Sequence, residues 1–457
     1  MDTVRINEKD NVCVSLATGH KIALCDIPKG ADIVKYGYPI GYATEDIRKG
    51  ESVHSHNLKT KLGDILSYEY TPNFTAFEPT EPFEIEAFIR ENGDIGIRND
   101  IWIVPTVGCV NPIAKQLAEK TEAITFSHPY GCSQLGDDQK ITQLVLRGLI
   151  NHPNAGGVLV LGLGCENNNI AEMKKILGTW NDKRIKFLSV QDCENEIEEG
   201  IKIIEELKQI ASKDKRQSVP ASKLKIGLKC GGSDGFSGIT ANAVVGKVTD
   251  KLCAMGATAV LTEVPEMFGA ETVLFDRCIN KDVFEKSVKL INDFKQYFKN
   301  HGQPVSENPS PGNKEGGITT LEEKSLGCVQ KGGTAPVVDV IDYGETATKP
   351  GLNLLNGPGN DIVSITNLAA AGCHLVLFTT GRGTPLGGAV PTIKIASNDA
   401  IAGKKAHWID FSAYGFDNDA KADELLDLIK QTANGNPAKN EIYGNREIAI
   451  FKDGVTL

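Results

Sequence analysis

Histidines and glycine-preceded cysteines are the residues here whose types and spacing could do chemistry. His54 and His56 stand two apart in ESVHSHN. Read as strand, positions i and i+2 share a face. Two imidazoles on one face make half a site for a divalent transition metal. His20, in Gly19-His20, offers a third ligand or a base. The plainer alternative is a pair of surface histidines on a strand edge. His128 stands four residues before Cys132 in SHPYGCSQ. That spacing allows a Cys-His nucleophile, or a histidine that merely caps the Pro-Tyr-Gly turn.

Five of the eleven cysteines follow a glycine: Cys109, Cys132, Cys165, Cys328 and Cys373. The first three close strand-like runs, in VPTVGCVN, FSHPYGCSQ and VLVLGLGCENN. Open α/β sheets build their crevices just beyond such strand ends. Three thiolates with one open position suit a substrate-binding iron–sulfur cluster. A mononuclear iron would prefer imidazole and carboxylate. Against both, cysteine also serves as a small apolar packer. Cys373 precedes its strand and Cys328 reads as loop, so both are expected to pack.

Two glycine-rich stretches follow strand-like runs. LKCGGSDGFSG supplies Lys229, Gly232, Ser233 and Asp234, and FTTGRGTPLGG supplies Arg382. Neither is a Walker loop, and G-x-G-x-x-G is absent, which argues against a nicotinamide-dependent dehydrogenase. A nest of backbone amides at a helix start still binds a carboxylate, and arginine can grip one with two bonds. The alternative is two structural turns. Glu166, Glu263, Glu266 and Glu271 border these elements.

The elements that must position these groups read as an α/β multidomain chain. The 457 residues suggest about three domains. Residues 1–72 alternate short apolar runs with turns and predict a small β-rich domain, followed by a proline-rich linker over 73–84. Residues 85–212 predict an α/β domain with strands at 101–107 and 157–163. A polar linker is expected over 213–223, and a C-terminal α/β domain over 224–457, both α/β domains with largely parallel sheets. The irregular span 302–317 is long enough to be functional. The N-terminus has no signal-like apolar region and no run approaches a membrane span. Eleven cysteines then read as reduced thiols in the cytoplasm. A net charge of −10 argues against a nucleic-acid partner. A symmetric homo-oligomer is expected.

The chain resembles the altronate/galactarate dehydratase family over nearly its whole length. The resemblance rests on GHKIALCDIPKG, VKYGYPIGYA, GESVHSHN, GIRNDIWIVPTVGCVN, SHPYGCSQ, LGLGCENN and LKCGGSDGFSGITANAVVG. It continues through EVPEMFGAE, PSPGNKEGGITTLEEKSLGC, NGPGNDIVSITNLAAAGCH and GRGTPLGGAVPTIKI. It implies an N-terminal SAF-type β-domain, loss of water from a sugar acid, and a divalent metal, Fe2+ first and Mn2+ second. Altronate is the first substrate it implies, with galactarate and sulfolactate as alternatives. A non-catalytic sugar-acid-binding protein is the reading from another class. Under the resemblance, His54 and His56 bind metal, with His20 as third ligand or base. Arg382 and the 231–238 loop then hold carboxylate and hydroxyls. The segment before Gly19 is shorter than in relatives.

Overall fold

The computed structural model describes every residue except Met1, Gly63, Asp64 and Phe416. The N-terminal domain is two small antiparallel sheets. One orders Thr3–Val4, Val12–Ser15, Lys21–Ala23 and Ser52–Val53; the other orders Asp32–Lys35, Tyr38–Ala43 and Leu58–Lys59. The strand before His54 stops at Val53. His54, Ser55 and His56 form a turn, closed by the amides of Asn57 and Leu58 donating to the His54 carbonyl at 3.0 and 2.9 Å. The expected strand pairing of His54 with His56 is therefore corrected: period-2 alternation does not apply on a turn.

The middle domain carries a parallel sheet in the order Ile124–Thr125, Asp100–Pro105, Ala155–Gly162, Ile185–Ser189. The all-apolar centre of Ala155–Gly162 is buried on both faces, as expected of a central parallel strand. Helices Asn111–Thr121 and Glu196–Ala211 cover one face. The C-terminal domain holds a seven-stranded parallel sheet. Its order is Val337–Ile341, Gly351–Leu355, Thr258–Leu261, Lys225–Cys230, Leu375–Thr380, Thr392–Ala396, Phe411–Ser412.

Two expected loops are structured. Arg216–Pro220, inside the expected linker 213–223, is a strand pairing antiparallel with Glu84–Ile89. Its polar sequence hid it, since pairing here comes from backbone bonds and from Arg216 lying over the Phe88 ring, 4.7 Å from its centre. Within 302–317 sits a short helix, Pro311–Glu315, capped by Ser310 and Asn313.

The hydrophobic core explains how the domains stay together. Alternate residues of the central C-terminal strands face opposite ways. Leu375 and Leu377 share a core with Val12, Ile33 and Ile40 of the N-terminal domain. Val376 and Phe378 share one with Trp102, Val104 and Val145 of the middle domain. No helix among the described residues is long and apolar enough to cross a membrane.

Candidate functional site

The N-terminal domain meets the C-terminal end of the parallel sheet through bare backbone. A Cβ on Gly235 would lie 2.0 Å from the Gly19 carbonyl oxygen. The Gly235 amide donates to the Gly316 carbonyl at 2.7 Å. Only glycine permits such an approach, so Gly19, Gly235 and Gly316 fix the seam. His20 follows Gly19 directly, and its ring lies 5.3 Å from that of His54, tilted 32°. His54 Nε2 donates to the Lys314 carbonyl at 2.9 Å, and its Nδ1 accepts from Ser55 Oγ at 3.0 Å. Burial lowers the pKa of His54, so the neutral ring is favoured. The ring nitrogens of His20 have no protein partner among the described residues. His56 is exposed on its turn. The seam thus pairs His20 with His54.

The glycine loop reaches the same seam from the other side, but much of it is already committed. Asp234 Oδ1 accepts from the Phe236 and Ser237 amides and from the Ser237 and Ser397 hydroxyls, at 2.8–3.2 Å. Its Oδ2 accepts from Asn398 at 2.9 Å. That carboxylate braces the loop. Lys229 is fully buried and donates to Glu263, to Asp361 at 2.9 Å and to the Cys230 carbonyl at 2.6 Å. Its three donors are taken by protein acceptors. The Ser233 carbonyl accepts from Asn313 at 2.8 Å. The amides of Gly232 and Ser233 have no protein acceptor among the described residues, and Gly232 takes a left-handed φ of 64°. The anion nest survives in those two groups. Arg382, half-exposed, donates to the Gly312 carbonyl at 2.6 Å and pairs with Glu315 at 2.9 Å. It clamps the short helix that also carries the His54 acceptor.

Beneath the seam lies a buried ionic layer that sequence reasoning missed. Helix Leu321–Cys328 is buried along its whole length, yet LEEKSLGC has no apolar stripe. Glu323 lies between Lys21 and Lys35 of the N-terminal domain, at 2.8 Å from each. Burial opposes its charge, but the two ammoniums pull its pKa down to about 2. Burial brings Lys21 down to about 8, since one carboxylate offsets only part of two ammoniums. Lys324 pairs with Glu266 at 2.7 Å, and Lys331 with Glu263 at 3.2 Å. Against the cost of burial, Lys324 first and then Lys229 and Lys331 hold the Glu266 carboxyl low; burial and the neighbouring Glu266 raise Glu263. Glu263 also holds a left-handed φ of 71°, a strained state for a residue other than glycine. Cys328, expected in a loop, ends the helix and is buried beside Cys230 and Glu266. The only sequence signal was the dense run of charge in an otherwise apolar neighbourhood.

Cys109, Cys132 and Cys165 follow the strands at the C-terminal edge of the middle sheet, as expected, and all three are exposed. His128 is buried there. Its Nε2 donates to the Pro105 carbonyl at 2.8 Å and its Nδ1 accepts from the Tyr130 amide at 3.2 Å. Both nitrogens are used by backbone, so the ring braces the turn. A wide cavity of about 870 Å3, lined by Arg90, Arg147, His152, Arg184 and Lys225, opens at the opposite, N-terminal edge of both parallel sheets. That is the wrong edge for an α/β site. In the seam the cavity is about 10 Å3, between Tyr36, Ser233 and Lys324.

Comparison with known proteins accounts for all three domains. The profile of the altronate/galactarate dehydratase SAF domain matches residues 15–61. That of the D-galactarate dehydratase/altronate hydrolase second domain matches 87–212. That of the D-galactarate/altronate dehydratase C-terminal domain matches 221–456. The chain is 53% identical to the altronate dehydratase of Escherichia coli K12, over 98% of this chain and 94% of the relative. It is 53% identical to the altronate dehydratase of Bacillus subtilis 168, over 99% and 94%. To the galactarate dehydratase (L-threo-forming) of Escherichia coli K12 it is 32% identical, over 90% and 83%.

Proposed function

This chain belongs to the D-galactarate/altronate dehydratase family, and we propose that it is a hydro-lyase converting D-altronate to 2-dehydro-3-deoxy-D-gluconate at the seam between its first and third domains. The observation that carries the reading is the His20–His54 pair set against an anion nest. The substrate carboxylate enters the amides of Gly232 and Ser233, with Arg382 at the rim. The C2–H bond then breaks toward a base, the electron pair moves to C2–C3, and the C3–O bond breaks as the leaving hydroxide takes a proton from an acid, which the protonated base can supply, and departs as water. The resulting enol tautomerises to the 2-keto acid.

A divalent cation, iron before manganese, would supply Lewis-acid stabilisation of the charge that develops at the carboxylate. Two imidazoles on one ion, each nitrogen about 2.1 Å from it, put their ring centres roughly 5 Å apart. His20 and His54, at 5.3 Å, fit that spacing once His54 releases the Lys314 carbonyl. His56 stands on the same turn, but the three imidazoles do not bring their ligand atoms within 4.8 Å of one another. His20 either completes this ligand set or takes the C2 proton, and metal content separates the two: a His20→Ala protein keeps its metal in the second case only.

The test is a panel of altronate, galactarate and sulfolactate, assayed anaerobically with iron. The expected result is 2-keto acid formation from altronate at a kcat/KM at least tenfold above galactarate. Preference for galactarate, sulfite release from sulfolactate, or binding of sugar acids without turnover would each overturn the assignment.

A further inference from the structure

The cavity of about 870 Å3 at the N-terminal edge of the two parallel sheets is too large and too polar to be a packing void. Small-molecule sites typically enclose roughly 300–1,000 Å3 and favour domain interfaces. Both domains wall this one. The middle domain supplies most of the lining, and the third domain supplies Lys225, Thr346, Ala370 and Gly372. The strand that begins at Lys225 ends at Cys230, two residues before the Gly232 nest. Cavity and seam therefore lie at opposite ends of one strand, about 17 Å apart by the rise of a parallel strand.

The cations of this cavity are short of partners. The backbone of Lys225 bonds His374, but its half-buried ammonium has no protein acceptor among the described residues. Two helices end here, Gly136–Ile150 and Asp361–Ala370. The amides of Asn151, His152, Ala371 and Gly372 close their last turns, and Lys225 Nζ bonds no carbonyl of either. A Cβ on Gly372 would stand 3.8 Å from that ammonium, so glycine leaves it uncovered. Arg90 and Arg184 share a single carboxylate, Asp214, at 3.2 and 2.6 Å. Arg147 has only the half-exposed Glu345, at 2.7 Å. Burial first, with Lys225 and Arg90 adding to it, brings His152 down to about 3, so that imidazole adds no charge of its own. Of the lining acids, Glu91 and Asp182 are exposed, and Asp94 accepts from Asn92 at 2.8 Å. Three part-buried cations, Lys225, Arg90 and Arg184, thus face one part-buried carboxylate. Such an excess in a cleft draws in an anion.

The rest of the wall is apolar. Ile150, Val158 and Ile185 are buried, and the half-buried Trp180 ring is held edge-on to Phe187 at 5.4 Å. An indole face takes a flat ring, and ammonium and guanidinium groups take an acidic one. We propose that this cavity binds a small organic anion, a carboxylate or phosphate carried on a flat ring, with Lys225, Arg147 and Trp180 as its contacts. Lys225 belongs to the third domain and the other two to the middle domain, so the bound anion bridges them. The site does not depend on which sugar acid reacts at the seam.

The test titrates the full-length protein with adenosine monophosphate, benzoate and inorganic phosphate by isothermal calorimetry. One of the two ring-bearing probes is expected to bind once per chain with a Kd below about 1 mM. The tighter of the two tells phosphate from carboxylate as the acidic group. Inorganic phosphate, which has no ring, should bind at least tenfold more weakly than that probe. Lys225→Met and Trp180→Ala should each weaken the probe at least tenfold, with folding checked by circular dichroism. His20→Ala/His54→Ala and saturating altronate should leave its affinity unchanged. Should Lys225→Met fail to fold, Arg147→Gln decides by the same tenfold loss. The proposal is overturned if neither ring-bearing probe binds the wild type below about 1 mM. It is overturned equally by full affinity in a folded Lys225→Met or Trp180→Ala protein, by inorganic phosphate binding as tightly, or by displacement with altronate.

Discussion

Replacing Glu323 by glutamine should loosen the N-terminal domain more than any single surface change. Its carboxylate is 1% exposed and pairs with two ammoniums, each 2.8 Å away, and it also accepts from the Thr319 amide at 2.8 Å. Glutamine keeps the shape but leaves Lys21 and Lys35 buried without a counter-charge. Removing one partner of a buried ion pair costs about 3–5 kcal/mol. Docking of the first domain runs through these bonds and through the glycine seam. The cost should therefore appear as local opening rather than global unfolding. Hydrogen exchange of the Lys21–Ala23 and Asp32–Lys35 amides reads it directly. At about 1.4 kcal/mol per decade, protection should fall by roughly two to three and a half decades. The rescue is as informative as the loss. A Lys21→Met/Lys35→Met/Glu323→Leu variant removes all three charges, and such replacements are commonly neutral or stabilising. It should regain most of the protection. A Glu323→Gln protein within about 1 kcal/mol of wild type, or a triple variant no better than the single one, would refute the argued role of the ionic layer.

Gly235→Ala places a Cβ 2.0 Å from the Gly19 carbonyl and should cost about 1–3 kcal/mol while lowering kcat, measured by denaturant melts and steady-state assay. Cys109→Ser/Cys132→Ser/Cys165→Ser alters only exposed side chains, so stability should stay within about 0.5 kcal/mol for each change. Labile sulfide in the wild type that disappears in this variant would instead make these cysteines cluster ligands. Stability should fall as pH drops below about 6.5. Burial lowers the pKa of His128 and His374 and brings that of His152 down to about 3, so the unfolded chain binds protons that the folded chain does not. Each imidazole contributes stability that is fully present above about 6.5 and is lost as the pH falls below it, at a slope of up to about 1.4 kcal/mol per pH unit.

The elements were legible where period and apolarity agree. The strands Asp100–Pro105 and Ala155–Gly162 lie within two residues of the expected 101–107 and 157–163. The three cysteines at the edge of the middle sheet were readable because a buried parallel strand announces its own end. What was not legible depends on long-range pairing. His54 pairs with His20, 34 residues away, rather than with His56, two away. Arg216–Pro220 is a strand because of Glu84–Ile89, not because of its own sequence. Lys21, Lys35 and Glu323 look like ordinary surface charges, and only the meeting of two domains makes them a buried triad. Cys328 looked inert because Cys230, at the end of a strand, and Glu266, in the turn 264–266, reach it from distant parts of the third domain's sequence.

The claim that the seam is the reaction site is tested most directly by His20→Ala and His54→Ala, with kcat for altronate, bound iron and circular dichroism measured on the same preparations. Loss of a positioned proton-transfer group typically costs 10²–10⁴-fold. Each variant should therefore lose at least about a hundredfold in kcat while staying folded, and His54→Ala should also lose seam metal. Folded variants that keep wild-type kcat and full metal content would contradict the account.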